Sequence, residues 1–243
     1  MIVAAHQPHY LPWLGYLDRM LRADLFVVLD HVQFERRNYQ NRTRILLDGL
    51  GHWLTVPVIQ RSQLERVIDK LIDNPPNDDK KSWGLKHYQT LRHAYRDAPF
   101  FADYAPTLEK ILCARIDKLV DVDQYTLDFL RDAFNIRTPI VNSSTLDIKG
   151  ARAEMILDVC QVVGADIYLA GMGGSRDYLD QQMFNDAGVA IAWQDFKHPV
   201  YRQSAHGPFV PGLSAVDLLF NHGPQSPALL RGLACEERQP EFA

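Results

Sequence analysis

"MIVAAHQPHYLPWLGYLDRMLRADLFVVLD", residues 1–30, is the stretch on which the fold turns. Ile2–Ala5 is a short apolar run ended by His6-Gln7-Pro8 and reads as a buried strand. Pro12 suits the first turn of a helix, and Trp13, Leu14, Leu17, Met20 and Leu21 then recur at helical spacing. Ala23-Asp24 ends that helix, and Leu25–Leu29 is a second unbroken apolar run. Strand, helix and strand within about thirty residues make a βαβ unit, which predicts an α/β fold around a mostly parallel sheet.

Outward from that unit, "TRILLDGLGHWLTVPV" (43–58) reads as a β-hairpin with Asp48-Gly49 at its turn. Residues 60–77 carry no clear period, and "DNPPNDDKK" (73–81) is a loop. From Lys81 to Phe134 the pattern is helical three times over. Three consecutive helices interrupt the α/β alternation, so residues 79–135 are expected to form a helical insertion or cap within one domain spanning 1–243. Alternation then resumes. Pro139–Val141, Ile167–Ala170 and Val189–Trp193 read as strands, Ala151–Val163 and Ser175–Ala187 as helices. "LSAVDLLFNHG" (213–223) reads as a last helix closed by Gly223.

A chain of 243 residues is long enough for one large α/β domain. The net charge of −4 provides no overall basic field, so nucleic acid is not an expected partner. No window approaches about 18 consecutive apolar residues, and no basic start precedes an apolar run. The expectation is a cytoplasmic protein without a leader or a spanning helix. Cys113, Cys160 and Cys235 are odd in number and scattered, which fits buried thiols in a reducing compartment and not a disulfide framework.

In an open parallel sheet, ligands bind at the carboxyl ends of the strands. The four ends legible here are His6-Gln7-Pro8-His9-Tyr10, Asp30-His31-Val32-Gln33, Ala170-Gly171-Met172-Gly173-Gly174-Ser175, and the neighbourhood of Asp195. All are polar or glycine-rich, whereas the strands are apolar. His6 and His9 suit acid/base work or phosphate contact, or else they cap a loop shaped by Pro8 and Pro12. Nothing about their spacing sets a tetrahedral site, so no metal is assigned.

Gly171, Gly173 and Gly174 leave room for backbone N–H groups to face an anion, with Ser175 opening a helix and Arg176 adding charge. A glycine-rich turn with Ser175 as N-cap is the structural alternative. "FERRNYQNRTRI" (34–45) brings Arg36, Arg37, Arg42 and Arg44 together with Asn38 and Asn41, guanidinium forks suited to phosphate or carboxylate. The bland reading there is a solvated approach to the hairpin. Asp217, among apolar neighbours, either points to solvent or anchors a donor.

Taken in order, "HQPHYLPWLGYLDRM", "ADLFVVLDHVQF", "NRTRI", "WLTVPV", "YLAGMGGSRDYL" and "LSAVDLLFNHGP" resemble the WbqC-like family at comparable spacing over nearly the whole chain. Two positions depart from its pattern: Tyr39 stands where the family tends to have Trp, and Ala170-Gly171 where it usually has Ser-Gly. The resemblance implies association with surface-polysaccharide, O-antigen or natural-product gene clusters, and no firm reaction. The layout is also similar to the nucleotidylyltransferase-type fold, including enzymes that adenylate a carboxylate and then form an amide, such as pantothenate synthetase. That likeness implies a Rossmann-like sheet, with Gln33-Phe34 and Ser175-Arg176-Asp177-Tyr178-Leu179 in the places that such enzymes use around ATP. Their His-x-Gly-His signature is absent; His6, His9 and Tyr10 take its place at shifted spacing.

Three functional readings follow. In the first, the chain is a transferase or ligase acting on a nucleotide-activated or carboxylate-bearing small molecule. His6 and His9 act on the transferring group, and Asp30 or Gln33 orients the nucleophile. Gly171, Gly173, Gly174, Ser175 and Arg176 hold the cofactor, which with ATP would bring Mg²⁺. Gln7, Tyr10, Gln33, Arg37, Asn41, Arg42, Arg44 and Tyr178 contact substrate. The second reading drops the nucleotide in favour of acyl or glycyl transfer to an amino sugar. The third is a non-catalytic binding or scaffold protein, with the helices of 81–134 as a lid in the enzymatic cases or a homodimer surface. Convergence of His6, His9, Asp30, Arg42 and Ser175 on one cavity separates an enzyme from a scaffold.

Overall fold

The computed structural model describes residues 1–75, 82–173, 176, 178–204 and 207–232. Its sheet grows from the stretch quoted above: β1 (Ile2–His6) leads through α1 (Leu14–Leu21) into β2 (Leu25–Val28). Three later strands, β5 (Ile140–Asn142), β6 (Ile167–Ala170) and β7 (Ala190–Trp193), complete a five-stranded sheet in the order β5-β2-β1-β6-β7. Every pairing is parallel. His6 lies opposite Val28, Val28 opposite Asn142 and Ala170 opposite Trp193, so the carboxyl ends of the strands share one edge.

Both faces are covered, which is why the strands read as unbroken apolar runs. Ala4, Phe26 and Val28 pack into a core shared with α1 and with the inserted helices α2 (Trp83–Tyr95), α3 (Phe101–Cys113) and α4 (Leu119–Ala133). Val3, Ala5, Val27 and Leu29 point the other way, against Ile156, Val159 and Cys160 of α5 (Ala153–Val163) and Phe184 of α6 (Gln181–Asp186). The order is that of a doubly wound, Rossmann-like sheet.

The connection from β2 to β5 holds everything that breaks the alternation. It contains the antiparallel hairpin β3 (Arg42–Leu47) and β4 (Leu50–Thr55), then α2, α3 and α4. Asp48 and Gly49 both take positive φ, 51° and 75°, as a two-residue turn matched to strand twist requires.

The structure departs from the sequence expectation in three places. The helix expected from Ser175 begins at Gln181, because the Asp180 carboxylate accepts the backbone N–H of Gln182 and Met183 and sets the N-terminus there. After Gly223 ends α7 (Ala215–His222), a further short helix, α8 (Ser226–Leu230), follows. Of the thiols, Cys160 is buried, which pushes it up to about 12, but Cys113 is exposed. Cys235 lies outside the described residues. Among the described residues no helix is long and apolar enough to cross a membrane.

Asp217 proves to be an anchor. Fully buried on α7, it accepts hydrogen bonds from Tyr95 Oη (2.9 Å), Tyr201 Oη (2.8 Å) and Gln203 Nε2 (2.9 Å). Tyr95 Oη in turn accepts the Leu46 amide of β3 at 2.9 Å, so one carboxylate ties α7, α2, the hairpin and the loop before α7 together. Removing it strands three donors in an apolar interior. Asp217→Ala is therefore expected to lower stability by about 3 kcal/mol or more in urea unfolding. Arg96→Ala, at an exposed ion pair, should stay within about 0.5 kcal/mol of the wild type.

Candidate functional site at the strand switch point

The chain winds from β1 through β2 to β5 on one side of the sheet, then crosses over to β6 and β7 on the other. The loops leaving β1 and β6 therefore part company, and between their carboxyl ends lies the switch point at which open α/β sheets form a ligand-binding crevice. His6-Gln7-Pro8-His9 follows β1 and Gly171-Met172-Gly173 follows β6, one on either side of that point.

A guanidinium reaches into this gap. Arg19 sits in the last turn of α1 and is only 8 % exposed. Its Nε donates to Gln194 Oε1 at 2.9 Å, the one hydrogen bond of this guanidinium among the described residues. Gln194, just past β7, is oriented by its own Nε2, which donates to Gly15 O (2.9 Å) and Asp18 Oδ2 (2.7 Å). Gly171 makes the approach possible: a Cβ there would stand 2.0 Å from Arg19 Nη2 and 2.6 Å from Cζ. Burial works against the guanidinium charge, opposed by Tyr168, Tyr16, Tyr178 and Asp18 around it.

The two histidines stand beside this charge. Their rings meet edge to face with centroids 4.5 Å apart, and Tyr16 lies 4.9 Å from His6 and 5.0 Å from His9. His6 Nδ1 is 3.0 Å from Gln7 O. A carbonyl can only accept, so Nδ1 carries the hydrogen and Nε2 keeps the lone pair. Burial, reinforced by Arg19, pushes His6 down to about 3, though the Gln7 hydrogen bond opposes it. Burial, then His6 and Arg19, holds His9 well below the usual imidazole range. Both rings are neutral at physiological pH. The positive charge of the crevice comes from Arg19, and the histidines supply lone pairs.

A ladder of rings leads away from the crevice. Tyr39 stacks on His9 at 5.3 Å and meets Trp53 of β4 at 5.4 Å. Arg42 and Arg44 lie over the Trp53 ring, 4.1 and 5.9 Å from its centroid. These two arginines thus reach the histidines only through two aromatic side chains. Arg42 also donates to the Arg37 carbonyl, and Arg37 itself is exposed at φ 64°.

Other residues singled out from the sequence are placed differently. Tyr10 is fully buried with its hydroxyl 2.9 Å from His87 Nδ1, facing α2. Gln7 Oε1 accepts from Gln40 Nε2 at 2.8 Å, and buried Asn41 donates to Val56 O at 2.9 Å. Both side chains brace the approach to the hairpin. Gln33 donates to Gln63 O at 2.7 Å on a separate groove of about 660 Å³, which Arg36 and Gln60 also line. Asp30 is buried and accepts from Ser143 Oγ (2.9 Å), Ser144 N (2.8 Å) and Ser144 Oγ (2.6 Å) at the end of β5. Tyr178 is near enough to Arg19 and Tyr168 to act on both electrostatically, while Arg176 is exposed with its guanidinium 5.8 Å from the Trp193 ring. Gly174 and Ser175 lie outside the described residues. Among the described residues no three His, Cys, Asp or Glu side chains are grouped to hold a metal.

Sequence reasoning passed over Arg19, Gln194, Tyr16 and Asp123. Gln194 was within reach of the strand-end rule, one residue before the Asp195 that was noted. Tyr16 and Arg19 are three apart on α1 and so share a face, but nothing in the pattern says that face meets the strand ends. Asp123 of α4 is 2 % exposed with neither carboxyl oxygen hydrogen-bonded, and burial raises it well above the usual carboxylate range. It lies close enough to Tyr10 and Tyr16 to raise both hydroxyls.

The depressed imidazoles make stability depend on pH with a definite sign. An unfolded histidine takes a proton below about 6.5, whereas folded His6 stays neutral down to about 3. Between those values the unfolded state binds more protons, so stability is greatest above about 6.5 and falls as the pH is lowered, by up to about 1.4 kcal/mol per unit from His6 alone. Urea unfolding at pH 7.5, 6 and 5 should show that loss, and His6→Asn should reduce it by up to about 1.4 kcal/mol per unit, leaving the part that His9 and His87 contribute.

The profile of the WbqC-like protein family matches residues 7–228, from the first loop through α7 into α8. The uncharacterized Mycobacterium tuberculosis (strain ATCC 25618 / H37Rv) protein Rv1507c is 29% identical over 231 residues, covering 94% of this chain and 97% of its own length. No solved structure matches significantly. With the profile running from the histidine loop to the last helices, the chain belongs to the WbqC-like protein family.

Proposed function

We propose that the crevice between β1 and β6 binds the anionic group of a small substrate against Arg19, and that the protein is a transferase or ligase using His6 and His9 as neutral acid/base groups. The observation that carries this reading is the buried Arg19 guanidinium, with Nε on Gln194, set beside two neutral imidazoles. A desolvated cation of this kind favours an incoming carboxylate or phosphate.

Anion binding would also prepare the base. Arg19 is one cause of the depressed histidines, so an anion compensating its charge lifts that part of the shift and brings His6 and His9 nearer to working pH. In acyl transfer, the nitrogen or oxygen of an acceptor would attack the acyl carbon, its proton passing to His6 Nε2. The bond from that carbon to the leaving group then breaks, and the proton returns to the leaving group. The family resemblance would set such a transfer in surface-polysaccharide or natural-product biosynthesis, in the cytoplasm, and names no reaction; amide formation enters through the likeness to carboxylate-adenylating enzymes.

Between the nucleotide-dependent and nucleotide-free versions, one feature supports the second. Asp180 already takes the first N–H groups of six-residue α6, so that helix offers no phosphate cradle behind Gly173. Arg19 is a single buried guanidinium and suits one carboxylate or phosphate. Acyl or glycyl transfer to an amino sugar needs only one such group.

Thermal unfolding with acetate, phosphate, pyrophosphate, ATP with Mg²⁺, nucleotide sugars and acyl thioesters tests the reading. A ligand at about a hundred times its dissociation constant adds about 2.7 kcal/mol. For a chain of this size that is a rise of roughly 5–10 °C. The shift should vanish in Arg19→Gln and in Gly171→Ala, whose new Cβ displaces the guanidinium. No shift with any compound, or one unchanged in Arg19→Gln, overturns it.

A further inference from the structure

We propose that His31 is a second base of the strand ends, locked in one tautomer by Asp30 and Ser143, and that its Nε2 takes the proton of the acceptor, an amine or hydroxyl. The inference rests on the transfer reading above and supplies that reaction's acceptor subsite, which would make His31 the base in place of His6 for that proton.

Hydrogen-bond accounting around Ser143 carries the argument. Ser143 Oγ has one hydrogen and two lone pairs. Its hydrogen goes to Asp30 Oδ1 at 2.9 Å, a carboxylate oxygen that also accepts the Ser144 amide. One lone pair takes the backbone N–H of Asp30 at 3.1 Å. The remaining contact is with His31 Nδ1. Ser143 has no hydrogen left to offer there, so His31 must donate. Nδ1–H is thereby set, and Nε2 keeps its lone pair.

The support behind this arrangement is rigid. Asp30 and Ser143 are each 1 % exposed, and the second Asp30 oxygen is held by Ser144 Oγ at 2.6 Å. Ser143 has both lone pairs and its proton committed, which removes it as a nucleophile. The trio is a relay ending on an imidazole, with Asp30 and Ser143 as positioning residues. Metal-bound and catalytic imidazoles are commonly oriented in this way through the other ring nitrogen.

Location and charge fit the role. His31 is partly exposed and lies two residues beyond Leu29, whose amide donates to the His6 carbonyl at 2.8 Å, so it stands one strand over from the crevice. Burial lowers the ring from the usual imidazole range, with Arg66 adding to this and Asp30 pulling the other way. When the acceptor N–H or O–H proton moves to Nε2, the new bond to the transferred group forms and the donor's leaving group departs with the electrons of its bond. The imidazolium is then stabilised by the Asp30 carboxylate through Ser143.

The test is long-range ¹H–¹⁵N correlation on histidine-labelled full-length protein, with His31 assigned through His31→Gln. The expected pattern is a protonated Nδ1 and an unprotonated Nε2, giving way to tautomer averaging in Ser143→Ala. Asp30→Asn is a second route to the same loss should Ser143→Ala fail to fold. An Nε2–H ring in the wild type, or a ring unchanged in these variants, overturns the inference. Glucosamine, which offers an amine and hydroxyls, should slow modification of His31 by diethylpyrocarbonate at least threefold, with exposed His52 as the internal control. Equal rates with and without it overturn the acceptor role. Failure of every anion to raise the melting temperature strikes the crevice reading and leaves the tautomer result standing, so the two failures are distinguishable.

Discussion

Arg19 carries its charge into a gap where little water reaches it, and a charge in such a place has to be held by something. Gln194 does the holding, and can do so only because β7 ends level with β6 and delivers it beside α1. Gly171 lets the guanidinium lie against backbone, and the same charge helps keep His6 and His9 unprotonated. Crevice geometry and histidine chemistry are therefore one arrangement seen from two sides.

The strand ends differ in how firmly their polar groups are committed. At β2 and β5, Asp30, Ser143 and Ser144 satisfy one another and leave a single imidazole nitrogen over. At β1 the accounts are open: His9 Nδ1 and Tyr16 Oη are buried without partners among the described residues, as are both Asp123 oxygens beneath them. Closed networks rigidify, whereas each buried polar group without a partner costs free energy.

The hairpin and the inserted helices serve this edge of the sheet indirectly. Tyr39 and Trp53 extend the aromatic wall from His9 to Arg42, and Asp217 binds α7, α2 and β3 into one block behind it. Tyr10 illustrates the division of labour within one loop: His6 and His9 pack against each other and Tyr16, while Tyr10 anchors the loop to His87 of α2.

Much of the fold was legible because it rests on periodicity. Unbroken apolar runs marked the parallel strands, Asp48-Gly49 marked the hairpin turn, and the helical spacing of 81–134 marked the three helices α2, α3 and α4. The start of α6 was misplaced because Ser175 and Asp180 are both acceptable N-caps, and only the backbone path shows which one the helix uses. Sequence also determined that polar residues would gather at the strand ends, since apolar runs must stop somewhere and parallel strands stop on the same edge. It could not decide which of those residues meet. Arg19 and Gln194 are 175 positions apart, and Asp30 and Ser143 are 113 apart. Such pairs are made by strand order, and strand order is set by how helices and sheet bury their apolar faces together, a property of the packed whole that no local spacing encodes.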